Sequence, residues 1–65
     1  MDFIMVHDKN GNPHIIRKSR IDEVYVDDED AHLTCITFFA TQDKPSIIPI
    51  IRVSEKPQTI FDLLS

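Results

Sequence analysis

The chain is 65 residues long, 42% of its residues are hydrophobic, and its formal net charge at pH 7 is −4 with a pI of about 5.1. A chain of this size forms a single domain, residues 1–65, that buries only about 60% of its unfolded surface, and such domains often need disulfides, a metal ion or self-association. Cys35 is the sole cysteine, which excludes an internal disulfide and a cysteine-rich zinc site. The hydrophobic content argues against disorder, and the acidic balance argues against nucleic acid as a partner.

The apolar runs of the chain predict a soluble protein. The first six residues carry no basic region, and their apolar run is too short for a signal peptide. No stretch approaches the ~20 apolar residues that a membrane span requires. We therefore expect a cytoplasmic protein with a reduced thiol and no membrane span.

The first part of the chain predicts a β-hairpin. Phe3–His7 and His14–Lys18 have strand composition, and they flank Asn10-Gly11, a dipeptide typical of two-residue hairpin turns. If this dipeptide is a two-residue loop, residues at equal distances before and after it lie opposite one another in the hairpin. A longer loop ending at Pro13 is the alternative.

Two further strands are predicted in the middle of the chain. Ile21–Val26 alternates valines with Tyr25 and predicts a third strand. The acidic run Asp27–Asp30 predicts a turn that stays in water. His32–Thr41 is rich in β-branched and aromatic residues, with apolar side chains on both faces, and predicts a central strand.

The segment Ser46–Val53 predicts a fifth strand that lies at an edge of the sheet or bulges. Pro49 lacks the N–H that a ladder needs, so the strand cannot be central. An apolar edge is an aggregation hazard unless it is covered or joined to another chain. The predicted interaction residues are therefore the five apolar residues of this segment, Ile47, Ile48, Pro49, Ile50 and Ile51.

The end of the chain predicts a short helix over Pro57–Leu64. Pro57 suits the first helical position, and Ile60, Leu63 and Leu64 recur on one face. The expected fold is mainly β with one short helix: an antiparallel sheet of four or five strands, strongly twisted or partly closed as a small barrel. Apolar residues on both faces of several strands exceed what this helix covers, which predicts a homo-oligomer, in the first instance a dimer.

The order of the elements and a set of spaced residues resemble a known family. The set comprises an Asn-Gly turn, an apolar pair, a spaced apolar step and a terminal Val-x-Glu stretch, here Asn10, Gly11, Ile15, Ile16, Ile21, Val24, Val53, Glu55, Ile60, Leu63 and Leu64. This layout, over most of the chain, resembles the short flagellar and swarming-motility family FlbD/SwrD of bacteria. The chain departs from that family at Lys56, where the family has a serine, and at Gln42–Pro45, which lacks the glycine of the family's turn. The resemblance implies a β-rich fold and a non-enzymatic accessory role, and a flagellar role is not carried over.

Histidines and the cysteine are the candidates for chemistry. In the two-residue-loop register, His7 and His14 are cross-strand neighbours with Cβ atoms roughly 5 Å apart. They would bind zinc or copper only with further ligands from Asp8, His32 or Cys35, and the residues favour a partly solvated pair without a metal. No base is arranged to activate Cys35, so we predict a structural thiol. No catalytic residue, cofactor or enzymatic activity is predicted.

The residues favour a non-catalytic interaction or assembly module that acts through sheet-edge or sheet-face contacts. Its expected partner is a second copy of the chain, with another protein as a further partner. The alternative is a small nucleic-acid-binding β-barrel that uses Arg17, Lys18, Arg20 and Tyr25, which requires the basic residues and the aromatic ring on one surface. An enzyme ranks third, because one chain this small offers no convergent acid, base and nucleophile.

Overall fold

The structure, a computed structural model, describes residues 2–65. Its elements are, in chain order, β1 (Phe3–His7), β2 (Pro13–Arg17), a 3₁₀ turn (Lys18–Arg20), β3 (Ile21–Val26), β4 (Thr34–Phe38), β5 (Ile50–Val53) and α1 (Pro57–Leu64). The predicted bounds of β1, β3 and α1 are confirmed, and β2 begins one residue earlier than predicted. Within residues 2–65, no helix is long or apolar enough to cross a membrane.

The β1–β2 hairpin closes through a three-residue loop, so the predicted two-residue loop is wrong. The Asp8 N–H donates to Asn12 O at 3.0 Å, and the Gly11 N–H donates to Asp8 O at 3.0 Å. Gly11 has φ 85°, the left-handed conformation that completes a type I turn in such loops. Oδ1 of Asp8 accepts the backbone N–H groups of Asn10 and Asn12 at 2.9 and 3.0 Å. These side-chain hydrogen bonds favour the longer loop, which the Asn-Gly dipeptide alone does not predict.

The longer loop shifts the hairpin register by one residue. His7 lies opposite Pro13, and Val6 lies opposite His14. A one-residue shift exchanges the faces of one strand relative to its partner, so the two histidines lie on opposite faces of the hairpin. The inner face of the hairpin contributes three buried residues to the core, Ile4, Val6 and Ile16.

The three remaining strands form an antiparallel sheet in the order β3-β4-β5. Four consecutive residues of β4, Thr34–Thr37, are buried. The prediction of a central strand is therefore confirmed, although the strand is shorter than His32–Thr41 and one face of its sheet is open. A bulge between Ile21 and Glu23 shifts the register at the start of β3.

Strand β5 begins at Ile50 rather than at Ser46. The Phe38 N–H donates to Pro49 O at 3.0 Å, but Pro49 has no N–H to return. The ladder therefore stops at this pair, and Ile47 and Ile48 belong to the preceding loop.

The two sheets are not closed into a barrel, so that alternative is wrong. They meet where the Ser54 N–H donates to His7 O at 2.8 Å, across 47 positions of sequence. The core cluster of residues 2–65 lies between the sheets and α1 and is formed by the buried residues Ile4, Val6, Ile16, Ile36, Val53 and Ile60.

Candidate interaction surface

The three-stranded sheet has one face toward the core and one open face. The strand register places six residues on the open face: Glu23, Tyr25, Cys35, Thr37, Ile50 and Arg52. On the central strand, Cys35 and Thr37 are only 1% and 8% exposed, whereas Tyr25 and Ile50 on the flanking strands are 38% and 51% exposed. The open face is therefore a floor of small side chains between two ridges of larger ones.

A cleft of about 380 Å³ lies on the open face. It is lined by apolar, hydroxyl and acidic side chains: Asp22, Glu23, Tyr25, Asp28, Thr37, Ile48 and Ile50. Ile48 is 60% exposed and is supplied by the loop before β5. An apolar surface rimmed by carboxylates suits a partner that carries apolar and basic side chains.

The predicted interaction residues 47–51 are partly exposed and partly packed against the protein. Ile48 and Ile50 line the cleft, and Ile47 is exposed in the loop. Pro49 is half-buried beside Phe38, while Ile51 packs against the core. The structure thus brings two of the five predicted residues to the open face.

A buried carboxylate lies at the end of this face. Asp27 is 8% exposed, so the prediction that all four carboxylates of Asp27–Asp30 stay in water is wrong for the first of them. Its Oδ1 accepts the Cys35 thiol at 3.4 Å and lies 3.4 Å from Nε of Arg52. Sequence reasoning missed this contact, and the one available signal was an arginine within an otherwise apolar strand.

The group around Asp27 does not favour a reactive thiol. Burial raises the pKa of the Cys35 thiol above its usual range, and the hydrogen bond to Asp27 raises it further. Burial and the nearby Cys35 also raise the pKa of Tyr25. Because a nucleophilic cysteine needs a lowered pKa and access to solvent, this arrangement supports a structural role.

Each hairpin histidine pairs with its own carboxylate. The His7 backbone N–H donates to Oε1 of Glu55 at 2.8 Å, and its ring Nδ1 lies 2.7 Å from Oε2. The His14 ring Nε2 lies 3.0 Å from Oδ2 of Asp8. Since the two rings lie on opposite faces, the predicted cross-strand histidine pair is wrong. No cluster of three or more metal-ligating side chains occurs among residues 2–65.

These contacts lower the pKa of both carboxylates. Burial tends to raise the pKa of Glu55, but the hydrogen bonds from the backbone and ring of His7 outweigh it and lower the pKa below its ordinary value of 4.5. Hydrogen bonds from His14 and from the Asn12 N–H lower the pKa of Asp8 from 3.8 to about 2. Glu55 therefore joins β1 to the chain after β5 as an ionised group.

The residues of the nucleic-acid alternative occupy separate surfaces. The Arg17 guanidinium lies 4.7 Å from the centre of the Phe3 ring, on the outer face of the hairpin. Arg17 and Lys18 line a cleft at the end of the hairpin, whereas Tyr25 lines the acidic cleft of the open face. An exposed aromatic ring within a basic groove, which single-stranded nucleic acid requires, is not formed by these residues.

A second apolar surface lies at the outer edge of β3. The Asp27 N–H donates to Leu33 O, so the backbone of Asp27 faces β4. In an antiparallel ladder the backbone groups of successive residues alternate in direction, and Tyr25 therefore also faces β4. The N–H and C=O groups of Val24 and Val26 then point toward the outer edge. Beside this edge lies a groove of about 300 Å³, the β3 groove, lined by Val24, Pro57, Gln58, Phe61 and Leu64.

Comparisons with protein-family models, with curated proteins and with solved structures find no match to this chain. The surfaces themselves are therefore the basis for a functional conclusion.

Proposed function

We propose that this protein is a small non-catalytic module that works by protein–protein contact and acts as a homo-oligomer. Among residues 2–65, eleven large hydrophobic side chains are exposed, against seven hydrophobic residues that are buried. A monomer of this size rarely leaves so much apolar surface in water unless the surface serves a contact. This excess is the observation that carries the proposal.

The contact surface that we propose for a further protein is the open face, with the cleft between Tyr25, Ile48 and Ile50. The cleft is broad and shallow, and its apolar ridges and acidic rim suit a protein segment that carries basic and apolar side chains. The lining includes no histidine and no exposed thiol, which supports a binding role over a chemical one.

The environment of the titratable residues supports the non-catalytic part of the proposal. The Cys35 thiol is buried and donates to Asp27, and each hairpin histidine is engaged by a carboxylate. A single cysteine with no partner in the chain is in keeping with the cytoplasmic location that we propose.

The residues behind the resemblance to the FlbD/SwrD family have structural roles that support an accessory module. Val53 and Ile60 are fully buried in the core, and Glu55 joins the two sheets through His7. A family that shares this pattern would share a scaffold, and we propose a shared accessory role on that basis.

The test of the proposal is the solution mass of the chain, measured by multi-angle light scattering over a wide range of concentration. We expect a mass above 7.5 kDa that rises toward a multiple of the chain mass as concentration increases. A mass that stays at one chain at the highest concentration would overturn the homo-oligomer. The salt dependence of binding to single-stranded DNA is measured alongside, and tight, salt-sensitive binding would favour the nucleic-acid alternative instead.

A further inference from the structure

Strand β3 has the features of an edge that pairs with another strand. It is an outer strand of its sheet, and Val24 and Val26 direct their backbone groups away from β4. Val26 is 47% exposed, and Phe61, which lines the β3 groove together with Val24, is 65% exposed. A strand edge next to an apolar groove suits an added strand, because the backbone supplies hydrogen bonds and the groove receives side chains.

The charges at the two ends of β3 are opposite. Residues 1–20 carry four basic and two acidic side chains, and three of the basic ones, Arg17, Lys18 and Arg20, directly precede β3. Asp27–Asp30, which directly follow β3, are all acidic, and Asp22 and Glu23 lie within the strand itself. The strand therefore has a basic entry and an acidic exit, and both Arg20 and Asp28 are exposed.

We propose that two copies of this chain pair antiparallel through their β3 edges, around a twofold axis at Val24, to form one six-stranded sheet. The inference rests on the self-association proposed above and names the surface that makes it. An antiparallel pair places the basic entry of each copy beside the acidic exit of the other, whereas a parallel pair places like charges together. One twofold contact satisfies both ends, as an isologous interface requires.

The register follows from the backbone directions of β3 and from the charges at its ends. Residues that point to the outer edge must lie opposite one another in the added pair, which allows an axis at Val24, Tyr25 or Val26. Only the axis at Val24 places Arg20 opposite Asp28, so charge complementarity selects it. Asp28 of one copy then lies alongside Arg20 of the other, and Asp30 alongside Lys18. The bulge between Ile21 and Glu23 shortens the regular edge, so charge and apolar contacts must supplement a small number of backbone hydrogen bonds.

The β3 groove supplies the apolar part of the contact. Val24 and Phe61 line it together, so the axis at Val24 brings the exposed Phe61 rings of both copies close to the interface. Edge pairing leaves both faces of the sheet accessible. The open faces of the two copies therefore become one continuous surface, with Tyr25 of each copy near the axis.

The experiment is a charge exchange at the Arg20–Asp28 contact, with the dimer dissociation constant measured by sedimentation equilibrium. We expect Arg20→Glu and Asp28→Lys each to weaken the dimer by about tenfold, because every twofold dimer contains the reversed pair twice. An equimolar mixture of the two single variants should regain the native affinity, since both ends of the mixed dimer are then complementary. Lys44→Glu and Asp43→Lys, on the exposed loop between β4 and β5, are the matched controls and should have little effect.

A second pair of variants tests the groove. Phe61→Glu should yield a monomer, whereas Ile15→Glu, at a residue of similar exposure on the hairpin, should leave the dimer intact. A native dimer that neither Arg20→Glu nor Phe61→Glu weakens beyond its control would overturn the β3 pairing and leave the proposed self-association standing. Single variants that weaken the dimer but do not recover on mixing would overturn the antiparallel register. A native monomer would overturn the proposed function itself.

Discussion

The two outer strands of the three-stranded sheet, β5 and β3, differ in how their edges are treated. The backbone of Ile50 and Arg52 points outward from β5, but this stretch is bounded by Pro49 on one side and by Ser54 on the other. Pro49, whose backbone faces β4, ends the ladder because it supplies no N–H, and the Ser54 N–H donates to His7 O of the other sheet. The β5 edge is therefore closed at one end by a contact with the hairpin.

The β3 edge has neither of these devices. The chain enters it through a 3₁₀ turn and leaves it through an acidic turn, and neither turn contains a proline. Proteins ordinarily protect exposed strand edges because such edges template pairing with other chains. One edge is closed by a contact from a distant part of the chain, whereas the other is exposed.

The largest expected difference between the two strands is in packing. Val53 at the end of β5 is fully buried, whereas Val26 at the end of β3 is 47% exposed. Val53→Ala should lower the free energy of unfolding by about 2 kcal/mol, since it removes two methyl groups from the core and leaves a cavity. Val26→Ala should change it by less than about 0.5 kcal/mol. Urea unfolding at low protein concentration measures both, and equal losses would contradict the assignment of β3 as the exposed edge.

A smaller effect should follow from removing the Glu55 side chain, which joins the chain after β5 to His7. Glu55→Ala removes the acceptor of the His7 backbone N–H and should lower the free energy of unfolding by about 1 kcal/mol, because a half-buried donor loses its partner. The control is Glu23→Ala on β3, where the exposed side chain should contribute less than about 0.5 kcal/mol. Exchange of the Ser54 amide with deuterated solvent should also accelerate in Glu55→Ala and not in Glu23→Ala. Unchanged exchange would show that Glu55 does not hold the two sheets together.

The smallest expected effect is a pH dependence of the stabilisation that Glu55 provides. The folded protein lowers the pKa of Glu55 below 4.5, so the unfolded state binds more protons as pH falls through this range. The stabilisation is fully present above pH 4.5 and is lost as pH falls through the folded-state pKa. Glu55→Gln should therefore flatten the decline in urea midpoint below pH 4.5, and a profile parallel to that of the native protein would contradict this assignment.

Asp8 provides the reference for that profile. Its pKa of about 2 places the loss of its stabilising contribution between pH 3.8 and pH 2, so this loss begins at a lower pH than the loss at Glu55. Asp8→Asn should flatten the lower part of the curve only. The two variants together separate the pH dependence of the hairpin loop from that of the contact between the sheets.

Much of the candidate surface could be predicted from residue types alone. The exposed apolar segment before β5 was predicted from the isoleucine pairs around Pro49, and Ile48 and Ile50 do lie on the open face. The β3 edge was not predicted as a contact, because an alternating strand with an acidic exit has the pattern of an ordinary half-solvated strand. Which strand is outermost depends on pairing order, and pairing order is not a local property of any segment.

The errors have a common physical origin. The hairpin register changed because the Asp8 side chain, outside the Asn-Gly dipeptide, bonds two backbone N–H groups of the loop. Asp27 was expected in water because its neighbours are acidic, but Arg52 and the Cys35 thiol approach it from two other strands. In both cases a polar group found a partner that the local pattern does not contain.

By itself, the sequence determined the elements: the bounds of β1, β3 and α1, the central position of β4, and the proline that limits β5. These depend on local periodicity, turn residues and the missing N–H of proline, which act over a few residues. Tertiary structure alone decided the division into two sheets, the burial of Asp27 and the closure of the β5 edge by His7, Ser54 and Glu55. Those features join residues up to 48 positions apart, and their free energy arises only when the core brings the two sheets together.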